Sequence, residues 1–65
     1  MSAADLKRAL DGIRGAILAG QGSLDRPDAV RMQVMRMEHG LALARAYRAL
    51  TGDWPDGWRP ARRVA

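Results

Sequence analysis

Residues Pro27 to Thr51 are the stretch that most restricts how this chain can fold. After Pro27 they contain no proline and a single glycine, Gly40. At 3.6 residues per turn they predict one helix of about seven turns. Each residue advances the helix by roughly 100°, which puts Val30, Val34, Met37, Leu41 and Ala44 on one apolar stripe with packed-seam spacing. Met32, Met35, Ala42, Leu43, Ala46 and Leu50 make a second stripe, roughly 160–180° around the cylinder. Two polar seams separate them. Arg31, Glu38 and Arg45 recur at every seventh position along one, and Gln33, Arg36 and Gly40 mark the other. A surface helix ordinarily buries one stripe, so a helix with two requires cover on both sides.

The rest of the chain supplies little cover. With 65 residues it forms one domain at most, and a domain of that size buries only about 60% of the surface its unfolded chain exposes. There is no cysteine, hence no disulfide framework and no thiolate site, and self-association is a natural substitute. Asp5, Lys7 and Arg8 stand where a signal peptide needs an apolar core, and the longest apolar runs, such as Ala16 to Ala19, are far short of a membrane span. Cytoplasmic residence is the resulting expectation.

Towards the N-terminus, Ser2 and Asp5 have the spacing of a capping box, with Met1 and Leu6 placed to close a hydrophobic staple. A first helix follows over about 3–19. Leu6, Ala9, Leu10, Ile13, Ala16 and Ile17 share its one apolar face, while Lys7, Arg8, Asp11, Gly12, Arg14 and Gly15 look outward. Gly20 is expected to end this helix as a left-handed cap. Gln21 to Arg26 make a short connection, with Ser23 or Asp25 as the cap of a second helix over about 26–51. Pro27 suits the first turn, Asp28 complements the helix dipole there, and Gly52 is the expected stop. The tail over 53–65 is of a different kind, with Trp54-Pro55-Asp56-Gly57 reading as a type I turn between Trp54 and Trp58.

Few residues point to chemistry. His39 is the only histidine, with no cysteine and no carboxylate a helical turn away on its own face, so no metal site is expected. Glu38 and His39 diverge by about 100°, and no pair of carboxylates converges by local spacing, so neither a catalytic site nor a cofactor is expected. Binding signals are stronger. Trp54, Trp58, Arg59, Arg62 and Arg63 interleave aromatics with arginines, a combination that anchors interfaces or stacks bases and holds phosphates. The tryptophans equally suit packing over Tyr47 and Leu50 at the end of a small core. Met32 and Met35, with Leu43, offer an adaptable apolar surface on the second stripe.

Formal charge is +4, and ten of the eleven basic residues are arginine, which suits an acidic partner but also follows from GC-rich coding. The expected fold is all-α: an antiparallel two-helix hairpin over 1–52 with an irregular tail, dimerising into a helical bundle. The first stripe of the long helix is expected to meet helix 1, with Leu41 in that seam and Leu43 in the dimer contact. The plan is similar to that of small plasmid- and phage-encoded helical hairpins that dimerise, without a shared motif. The expected function is a non-enzymatic protein that docks on and modulates or inhibits a larger protein or nucleoprotein complex. One alternative is a basic nucleic-acid-binding regulator using Arg31, Arg36 and Arg45 on phosphates. Another is a structural component of a phage-type assembly.

Overall fold

A computed structural model describes residues 1–60, apart from the side chain of Ser23. Two helices pack side by side as an antiparallel hairpin, α1 (Ala3–Gly20) and α2 (Pro27–Thr51), and no strand occurs among the described residues. The capping box forms as expected. The Asp5 amide donates to Ser2 Oγ at 3.2 Å and the Ser2 amide donates to Asp5 Oδ2 at 3.4 Å. The staple does not form, because Met1 is left in solvent while Leu6 is buried. Gly20 also departs from expectation. Its backbone is right-handed, with φ −82°, and a single turn of 3-10 helix over Gln21–Ser23 carries the chain onward instead. Gly20 is small for another reason: a Cβ there would come within 2.9 Å of Gln33 Oε1 and 3.1 Å of Arg36 Nη1.

The start of α2 has no side-chain cap. Arg26 occupies the cap position in place of Ser23 or Asp25, its carbonyl accepts from the Val30 amide, and Pro27 opens the first turn without an orphan N–H of its own. Gly52 stops the helix in the left-handed conformation, φ 82°, with its amide donating to the Arg48 carbonyl at 2.8 Å. The tail then turns back along the hairpin. The turn is one residue later than the sequence suggests: the Trp58 amide donates to the Pro55 carbonyl at 3.0 Å, and Gly57 holds φ 82° at the third position. That is the type II pattern, in which the third residue must take a positive φ.

α1 buries the face its spacing predicts, with Leu6 and Leu10 inside and Ile13 and Ile17 partly buried. α2 does not. It turns its Gln33–Arg36–Gly40 seam towards α1, burying Gln33 and Gly40 and half-burying Arg36, so that only the margins of the two apolar stripes, Leu43 and Ala44, reach the core. Leu41 is consequently 37% exposed at the rim, and Leu43 packs against the core, the reverse of the expected roles.

Two contacts account for this rotation. Trp58 joins Leu10 and Ala44 in the central cluster, and its benzene edge lies against Gly40, where an added Cβ would overlap Cη2 and Cζ3 and come within 2.8 Å of Cζ2. Only glycine leaves space for the ring. At the other end of the hairpin, Gln33 Nε2 donates to the Ile17 carbonyl at 2.7 Å. That carbonyl is in the last turn of α1, where helical partners run out, and the Gln21 amide that would have reached it donates to Leu18 instead. Arg36 Nη1 donates to Gln33 Oε1 at 2.7 Å, which occupies the other end of the buried amide.

The product is a layer one helix thick. Its extents are 37 × 35 × 14 Å, against about 10–12 Å for a single helix with side chains. Both stripes of α2 therefore stay in solvent, with Val30, Met32, Val34, Met35, Met37 and Leu50 each between 44% and 61% exposed. Gly40→Ala is expected to lower stability by about 1–3 kcal/mol through overpacking, despite the helix propensity of alanine. Gly12→Ala and Gly15→Ala, where a Cβ meets nothing within 4 Å, are expected to raise it by up to about 1 kcal/mol each. Urea unfolding with tryptophan emission checks both signs; a stabilised Gly40→Ala with unshifted emission would refute the Trp58 contact.

Candidate functional site

The faces of this layer differ in shape. On the side of the first stripe, Ile17 and Leu18 of α1, Met37 and Leu41 of α2 and the returning tail enclose an open groove of about 280 Å³. Trp58 and Pro60 continue its apolar lining, and Arg14 and Arg59 are its charged members among the described residues. The backbone conformation of the turn positions one of these arginines. Gly57 carries no Cβ, and one built there would come within 2.9 Å of Arg14 Nε and Cζ, so the guanidinium lies directly against the turn. The site can thus receive apolar side chains in its floor and a carboxylate beside them. Among the described residues no carboxylate lines it.

The binding residues suggested by the sequence fall in several places. Trp58 is 9% exposed and belongs to the core, and its indole Nε1 finds no hydrogen-bond partner among the described residues. Trp54 is half-buried, with the Arg48 guanidinium 5.1 Å from its ring centroid, a distance at which cation–π attraction operates. Arg59 is exposed on the groove, whereas Arg62 and Arg63 lie outside the described residues. Met32 and Met35 are exposed on the second stripe, and Leu43, from that stripe, is partly buried. Arg31 and Arg45 are exposed along the outer edge of α2, while Arg36 is turned inward onto Gln33. These three arginines do not form one surface.

No family model, curated protein or solved structure matches the chain. The functional reading rests on geometry alone. Among the described residues no three of His, Cys, Asp and Glu converge to hold a metal ion, and no helix is long and apolar enough to cross a membrane. A second hollow, of about 640 Å³ at the connection, is lined by Asp25, Arg26 and Asp28 beside Gly22, Ala29 and Met32, so that it mixes charged and apolar surface.

Sequence reasoning did not single out Arg14 and Leu18. Leu18 carried a signal nonetheless: it is a large apolar residue 100° away from the seam that ends at Ile17, and it is 57% exposed. Leu18→Ser is expected to change stability by no more than about 0.5 kcal/mol, as for other surface substitutions. Leu10→Ala, at a fully buried position, is expected to cost about 2–5 kcal/mol. Thermal unfolding of both variants by circular dichroism tests whether groove and core are separable.

Proposed function

We propose that this chain is a non-enzymatic docking module that binds a larger protein through the groove between Leu18, Met37 and Leu41 and thereby modulates it. The observation that carries this reading is the composition of the groove: among the described residues, an apolar floor bordered by two arginines and no acid. Such a surface suits a short amphipathic helix or extended segment with one or two large apolar side chains and a neighbouring Asp or Glu. The apolar anchors would supply most of the affinity, since a few buried contacts dominate interfaces, and the arginines would set orientation and association rate.

The nucleic-acid reading has less support. Arg31 and Arg45 stand on one edge with Glu38 between them, Arg36 is engaged by Gln33, and Arg14 and Arg59 border an apolar floor in place of a continuous basic track. Affinity capture from a lysate, run with and without nuclease, separates the two when wild type is compared with groove variants. A discrete protein should survive nuclease on wild-type bait and fall by about tenfold or more on Met37→Asp and on Arg14→Glu/Arg59→Glu, both retaining wild-type helicity. Recovery that disappears with nuclease, or that is equal on all three baits, would remove the proposal.

A further inference from the structure

The face of α2 opposite the groove carries a regular seam that none of the described residues covers. Met32, Met35, His39, Ala42, Ala46 and Ala49 follow one another at intervals of three and four residues, the a/d spacing of a coiled coil, and all six are exposed. Their sizes are not evenly distributed. The large side chains occupy the first half of the seam and only alanines occupy the second. We infer that this seam binds the same seam of a second copy of the chain, antiparallel, about a two-fold axis passing between Gly40 and Leu41.

Size selects the direction. In that register Met32 lies opposite Ala49 of the partner, Met35 opposite Ala46 and His39 opposite Ala42, and each pair occurs twice by symmetry. Every layer then matches one large side chain with one methyl, the alternation that fills space without strain. A parallel pair would stack methionine on methionine at one end and alanine on alanine at the other. It would also bring Arg31 alongside Arg36 of the other copy.

Charge selects the register. Arg31, Glu38 and Arg45 flank the seam along the edge of α2 that faces away from α1, and all three are exposed. With the axis placed as above, Glu38 of each copy faces Arg45 of the other, two opposite-charge pairs. Sliding one copy by a heptad in one direction sets Glu38 against Glu38; sliding it the other way sets Arg45 against Arg45. Both displaced registers leave part of the seam unmatched. The groove lies on the opposite side of α2, so the dimer presents two open grooves and does not depend on what they bind.

Sedimentation equilibrium on the 1–65 chain tests this, with circular dichroism confirming helicity for each variant. Wild type should be dimeric, and Glu38→Arg and Arg45→Glu should each weaken the dimer by about tenfold or more, because both symmetric pairs become like-charged. The double substitution Glu38→Arg/Arg45→Glu should restore it. Met37→Asp, in the groove, should leave it unchanged. The chain has no cysteine, so crosslinking adds a direct readout of register: a Met35→Cys chain mixed with an Ala46→Cys chain should form the mixed disulfide in preference to either homodimeric one. A wild-type monomer at millimolar concentration would overturn the proposal. So would a dimer indifferent to the charge reversals, one not rescued by the double substitution, or one lost in Met37→Asp.

Discussion

The rest of the molecule depends on one close approach, the Trp58 ring against the bare backbone of Gly40. A ring of that size needs an opening at the helix surface, and α2 provides one only at its single internal glycine. α2 must therefore turn Gly40 towards the tail and α1. Once that rotation is fixed, both apolar stripes point away from the core, one towards each side of the layer. The exposed methionines, the groove and the unpaired seam all follow from this one constraint.

A second contact keeps the rotation true over the length of the hairpin. Gln33 is two turns before Gly40 on the same side of α2, and its amide supplies the donor that the last turn of α1 lacks. A buried amide left unpaired costs roughly 1–3 kcal/mol, so a register that moved Gln33 off Ile17 would be penalised at once. Hydrophobic burial cannot give that precision in a layer whose fully enclosed apolar side chains are so few. The polar contact places one end of the hairpin and the indole places the other.

Much of this fold was legible in the sequence. The capping box, the inward face of α1, the proline-opened start of α2 and the glycine stop at Gly52 rest on local chemistry, which reads directly from neighbouring residues. The orientation of α2 did not read correctly, because periodicity identifies apolar faces and assumes that the most apolar one is buried. Here Gln33 and Gly40 win through contacts sixteen and eighteen residues distant along the chain, with Ile17 and Trp58, and no local pattern reports those. The turn was misread for a similar reason: both phasings of Trp-Pro-Asp-Gly-Trp are chemically reasonable, and the positive φ of Gly57 decides between them. Of the groove, Trp58 and Arg59 are the residues the sequence marks for binding. Arg14 and Leu18 become neighbours of Met37 and Leu41 only once the helices are rotated as found.

The position of Trp58 in chain order has a consequence for how the fold is acquired. Synthesis delivers α1 first, then α2, and only afterwards the residue that locks them together. Most helical stability in proteins comes from tertiary packing, and until the indole arrives the Gly40 opening has nothing to fill it. The native pairing is therefore complete only after the tail has been made and has turned back. In that interval the contact of Gln33 with the Ile17 carbonyl alone holds the rotation of α2, and the last piece of the core to be synthesised completes it.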